Sequence, residues 1–128
     1  MISNDTIRNV VSSYFSTLSA MDIDAWLALF EEEATGHDPG IPLLVGPDQL
    51  RAFAGGLVGI FATFSALPEE IFLCDSGAAV RWNARGTTKD GREVTFSGIE
   101  VFEVGAEGKI RWVRAYWDPA GLMARLKG

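Results

Sequence analysis

The sequence predicts an α+β protein, with helices gathered toward the N-terminus and packed on one face of a curved antiparallel sheet. Three observations predict it. Apolar residues in the first third recur every three or four positions, and the second half runs in segments rich in Val, Ile, Phe, Trp and Thr. Those segments are divided by short glycine-containing turns, DSG, KDG and GAEG, that suit antiparallel connections. Helices first and hairpin strands afterwards is the α+β order.

Each element has its own signal. In NDTIRNVVSSYFSTLSAMD, residues Ile7, Val10, Val11, Tyr14, Phe15 and Leu18 form one helical stripe, so Tyr14 points to the core side. Asp22 reads as the N-cap of a second helix carrying Ile23, Trp26, Leu27 and Phe30 and ending near Glu33, which makes a helical hairpin. After GHDPG and a loop rich in Pro and Gly, Gly46 and Pro47 read as the N-cap and first residue of a third helix, with Leu50, Phe53 and Leu57 inward. Strands are expected over residues 69–75, 78–88, 92–104 and 109–117, and PAGLMARL closes the chain as a short helix. With 128 residues and no repeat or low-complexity linker, residues 1–128 are expected to form one domain.

Composition narrows the partners. Hydrophobic residues at 48% and charged residues at 22% are globular proportions. A net charge of −6 with scattered Lys and Arg argues against nucleic acid, which is bound mainly through clustered cations. One cysteine excludes an internal disulfide, and with a single histidine it cannot supply an ordinary zinc shell. No EF-hand loop is present, and no metal or cofactor is expected. The apolar runs are too short for a bilayer, and MISNDTIR lacks a signal peptide's layout, so a soluble cytoplasmic protein is expected.

Alternation along VTFSGIEVFEV puts Val94, Phe96, Gly98, Glu100, Phe102 and Val104 on one face, apolar except for Glu100. If that face is buried, Glu100 must pair with a cation or keep its proton. The other face, with Thr95, Ser97, Ile99, Val101 and Glu103, is mixed and could be the buried one in a dimer; periodicity leaves both open. Tyr14 carries a hydroxyl that needs a partner if buried. Asp38 precedes Pro39, which disfavours a helical conformation and holds the aspartate extended, in a stretch that also reads as a plain turn.

The stretches YFSTLSAMDIDAWLALFEEEATGHDPG, GPDQLRAF and GIEVFEVGAEGKIRWVRAYW resemble, in order and spacing, the nuclear transport factor 2-like superfamily, and within it the ketosteroid isomerases. The resemblance implies a cone-shaped sheet wrapped around helices, with a pocket between them. It also implies an active site of Tyr14 on the first helix, Asp38 before proline at the start of the first strand, and Glu100 on a later strand. In ketosteroid isomerases the aspartate is the base, while the tyrosine and a protonated acid hold the oxyanion. The implied activity is a double-bond shift in a hydrophobic cyclic ketone, without a cofactor; a SnoaL-like polyketide cyclase or a non-catalytic ligand-binding module are the alternatives. Phe30, Phe53, Trp82 and Trp117 are expected to line the pocket, and a homodimer packed through the sheet is implied. This chain departs from the isomerases in three places. Glu100 replaces their aspartate, extending the side chain by roughly 1.5 Å. Phe30 and Ala54 stand where some members have supporting tyrosines. His37 replaces an acidic residue, and alternation from Asp38 turns it away from the pocket.

Overall fold

The computed structural model describes residues 2–127. Helix α1 spans Asn4–Ser19, α2 Ile23–Leu27, β1 Phe30–His37, β2 Leu44–Val45 and α3 Gly46–Val58. Strands β3 (Phe61–Cys74), β4 (Gly77–Thr88), β5 (Glu93–Val104) and β6 (Ile110–Trp117) follow, and α4 spans Pro119–Lys127. The strands form one curved, unclosed sheet in the order β2-β1-β6-β5-β4-β3.

Local chemistry starts the helices where expected. Ser3 caps α1 by accepting the Thr6 N–H, and Asp22 caps α2 by accepting the Ala25 N–H. Met21 takes a positive φ of 57° in the turn between them. The predicted stripe Ile7, Val10, Val11, Tyr14, Phe15 and Leu18 is buried throughout. It packs on the sheet, where the Phe15 and Phe102 rings lie 6.3 Å apart and edge-on. Ser19 pins the end of α1 to β3, its hydroxyl accepting the Ala66 N–H and donating to the Ala66 carbonyl. Leu50 of α3 is buried over β1 at Gly36, where an added Cβ would come within 2.9 Å of Leu50 Cδ2.

Three expectations are corrected. The second helix ends at Leu27, and residues 30–33 are strand. Three glutamates favour helix, but the Leu29 carbonyl accepts the Ile110 N–H, and the following segment is captured by β6. The resulting β1–β6 pairing is parallel, unlike every other pairing in the sheet. Strand β3 begins at Phe61, eight residues earlier than expected. Its register shifts between Phe61 and Thr63 and again between Pro68 and Glu70, and an edge strand tolerates a proline at such a shift. Finally, α3 starts at Gly46 with Val45 as its cap, and Gln49 reaches back to accept the Val45 N–H. Among the described residues no helix is long and apolar enough to cross a membrane.

Candidate active site

Burial settles which face of β5 is inside. Val94, Phe96, Glu100, Phe102 and Val104 are buried, while Thr95, Ser97 and Ile99 are exposed. Glu100 is only 7% exposed, as is Tyr14. The two meet: the Tyr14 hydroxyl donates to Glu100 Oε2 at 3.2 Å, joining α1 to β5 across 86 positions of sequence. Phe102 fixes the tyrosine ring from the side, edge-on at 4.9 Å.

Asp38 reaches the same cavity from β1, but from beyond its end rather than its start, because that strand begins as early as Phe30. The parallel pairing places His37 beside Arg114, so the end of β6 runs past Asp38. There the Trp117 indole N–H donates to Asp38 Oδ2 at 2.7 Å. His37 is exposed, as alternation indicated.

Burial acts on all three groups. It pushes Glu100 well above the usual carboxylate range, the negative charge of Asp38 pushes further, and the Tyr14 hydrogen bond and the nearby Trp82 N–H, which is not in bonding geometry, oppose the rise only in part. Burial also raises Asp38, but the Trp117 N–H and the charge of His37 pull it back. The Tyr14 phenol is raised well above 10.0 by burial and by the two carboxyls. Both acids in the cavity are thus raised, Glu100 well above its ordinary value and Asp38 against the opposing pull of Trp117 and His37. Among the described residues no group of three or more His, Cys, Asp or Glu side chains is placed to hold a metal ion.

The cavity is narrow, with ≈ 50 Å³ open to the centres of water molecules, and it is mostly apolar. Phe53, Trp82 and Trp117 line it as expected. Phe30 does not, and that expectation is corrected: it stands behind the wall, 4.7 Å from the Trp26 ring and 6.2 Å from Tyr14. Phe96 bridges the two wall tryptophans, edge-on to Trp82 at 5.8 Å and 5.4 Å from Trp117. Trp26 and Phe64 also line the cavity. Sequence reasoning read Trp26 only as a core residue, because a helical stripe does not distinguish a packed ring from one facing a cavity.

Residues 11–113 match the family described as the SnoaL-like domain. The chain belongs to that family. Solved structures agree on the fold of this SnoaL-like domain. A putative SnoaL-like polyketide cyclase from Jannaschia sp. superposes with a TM-score of 0.84 at 17% identity, covering 97% of this chain and 94% of that one. An NTF2-like protein from Burkholderia pseudomallei gives 0.82 at 18% identity, covering 96% and 97%. A Catenulispora acidiphila protein with a ketosteroid isomerase-like fold, in complex with trimethylamine, gives 0.79 at 13% identity, covering 90% and 89%. At these identities the likeness is one of fold, and the chemistry of this SnoaL-like domain has to be argued from its own residues.

Proposed function

We propose that this protein transfers a proton within a flat, hydrophobic ketone through an enolate or dienolate, shifting a double bond as ketosteroid isomerases do. The observation that carries the reading is the convergence of Asp38 and the Tyr14–Glu100 pair on one apolar cavity, where burial raises both acids, Glu100 well above its ordinary value. Asp38, ionised, takes a proton from the carbon beside the carbonyl; the C–H electron pair forms a C=C bond to the carbonyl carbon, and the C=O π pair moves onto the oxygen. Tyr14 and protonated Glu100 donate to that oxygen as charge develops, from positions already fixed by the fold. Asp38 then returns the proton to the far carbon of the conjugated system, and the enzyme ends as it began. The small, mostly apolar cavity suits a hydrophobic ring.

The test is conversion of a β,γ-unsaturated ketosteroid or smaller cyclic enone to its conjugated isomer, followed by ultraviolet absorbance. Wild type should turn over, and Asp38→Asn should lose activity by several orders of magnitude while still binding a phenol that mimics the enolate. Tight phenol binding with no turnover of any such ketone would sink the isomerase reading in favour of a binding module. Family membership supports a second reading, ring closure of a polyketide by the same enolate chemistry. A cyclised product from a polyketide ester, with no isomerisation of simple enones, would select it.

We further propose that the chain acts as one domain and pairs with a second copy through the outer face of the sheet. There Ile99 lies opposite Tyr116 in register, and Phe72 shares the outer face two strands further along the sheet, on β3; all three are exposed.

A further inference from the structure

Among the described residues, two indole N–H groups at the cavity have no acceptor. Nε1 of Trp26 and Nε1 of Trp82 are buried and make no hydrogen bond, although the two rings line the cavity and are only 3% and 5% exposed. A buried donor left unmade costs about 1–3 kcal/mol, so such groups call for an explanation. Both lie beside the polar pair. Trp26 is close enough to the Tyr14 hydroxyl, and Trp82 to the Glu100 carboxyl, to favour the ionised form of its neighbour, yet neither is in bonding geometry.

The placement of Trp82 is built into the sheet. It pairs across β4–β5 with Gly98, two residues before Glu100 on the same face. A Cβ on Gly98 would stand 2.7 Å from Trp82 Cζ2, the atom next to the ring carbon that bears Nε1. The Tyr116 carbonyl oxygen, at 2.5 Å, also bars a Cβ there, and the glycine leaves the Trp82 ring lying against β5 beside the acid.

A count of protons shows what these donors are for. In the empty pocket the single Tyr14 proton is spent on Glu100 Oε2. A ligand oxygen that draws the Tyr14 proton to itself leaves that Glu100 oxygen without its donor, next to an indole N–H without an acceptor. We infer that Trp82 is the positioning residue of Glu100 in the liganded site, and that Trp26 holds the Tyr14 oxygen in the same way. The partners exchange: Tyr14 and Glu100 each donate to the ligand oxygen, Trp82 donates to the freed oxygen of Glu100, and Trp26 donates to the oxygen of Tyr14. Every donor then has an acceptor, so ligand binding relieves two unmade bonds of the empty protein. This deepens the proposed function and rests on its reading of Tyr14 and Glu100 as oxyanion donors.

The experiment replaces Trp82 with β-(3-benzothienyl)alanine, which keeps the ring's shape and puts sulfur where the N–H was; Trp82→Phe is the simpler companion. With 2-naphthol as the probe, the isostere should bind about five- to tenfold more weakly than wild type, the range a single donor to a buried acceptor commands. In the ligand-free isostere, Glu100 followed by carbon NMR should titrate higher than in wild type, because a donor that favoured its ionised form is gone. In wild type, the Trp82 indole proton should move downfield when naphthol binds. The same substitution at Trp26 should raise the Tyr14 titration instead. A merely structural tryptophan would move none of these, since the isostere preserves packing. If wild type binds naphthol and the folded Trp82 isostere binds it equally well with Glu100 unmoved, the positioning role is overturned and the proposed function stands. If wild type binds no naphthol, the oxyanion reading fails and this inference fails with it.

Discussion

Glu100→Gln isolates what one buried proton does to stability. Gln keeps the carbonyl oxygen that accepts from Tyr14 and an N–H that can donate toward a ligand, but it cannot ionise. The Glu100 carboxyl is raised well above 4.5 in the folded protein, chiefly by burial and then by Asp38. Between 4.5 and the raised value, the folded state holds a proton that the unfolded chain has released. The stability that Glu100 contributes is therefore fully present below about pH 4.5, and it falls by about 1.4 kcal/mol per pH unit as pH rises toward the folded pKa, then levels off. Asp38 is also raised and contributes a fall of the same sign, but it is common to both proteins and cancels in their difference. The variant should gain on wild type at that slope from about pH 4.5 upward, and the pH at which the gain stops reads out the folded pKa of Glu100. Urea denaturation followed by tryptophan fluorescence at a series of pH values measures it. A difference that stays flat across that range would mean Glu100 ionises normally in the folded state, and would refute both its burial as a neutral acid and its role as a donor.

Trp117→Phe removes the N–H that holds Asp38 at 2.7 Å, a charge-assisted bond of about 1.5–3 kcal/mol. Burial then acts with less opposition, so the acidic limb of the pH–kcat/KM profile should move to higher pH; an unmoved limb would remove Trp117 from the control of the base. Ile99→Glu places a charge on the outer face of the sheet without touching the cavity, and it should convert a dimer to monomers in sedimentation while the circular dichroism stays native. A wild type that sediments as a monomer would refute pairing through that face.

What was legible in the sequence followed the periodicities. The α1 stripe identified Tyr14 as core-facing, which burial confirms; alternation along β5 set Glu100 apart as the acid on an otherwise greasy face but left open which face is inside, and burial decides it. What was not legible arose where tertiary pairing overrode local pattern. Glu31, Glu32 and Glu33 read as helix, and the register shift between Phe30 and Thr35 breaks the alternation that would have revealed β1. Pro68 hid the first half of β3 in the same way. The Asp38–Trp117 bond joins residues 79 positions apart through a parallel pairing that no local signal announces. The unpaired indole groups are further from reach still, since a missing partner becomes visible only once every neighbour has been placed.

The longer acid at position 100 and the missing tyrosines bear on the same hydroxyl. Where the resembling isomerases can support the catalytic tyrosine through further tyrosines, this chain offers Phe30, which is packed behind the wall and has no hydroxyl, and Ala54, which lines the cavity without a polar atom. Tyr14 must therefore find its hydrogen bond elsewhere, and it finds it on Glu100. The added methylene gives the carboxyl about 1.5 Å of further reach from β5. An acid reaching that far is less rigidly held than a shorter one, and misplacement on this scale is costly where two donors must converge on one oxygen. Neighbours that confine the carboxyl therefore matter more here than they would around an aspartate. The sheet supplies one by leaving position 98 without a side chain, so that the Trp82 ring lies against the strand that carries the acid. Whether the pocket acts on a simple enone or on a more heavily oxygenated ring then turns on where that confinement leaves the Glu100 proton pointing, which is what the Trp82 isostere and the Glu100→Gln titration read together.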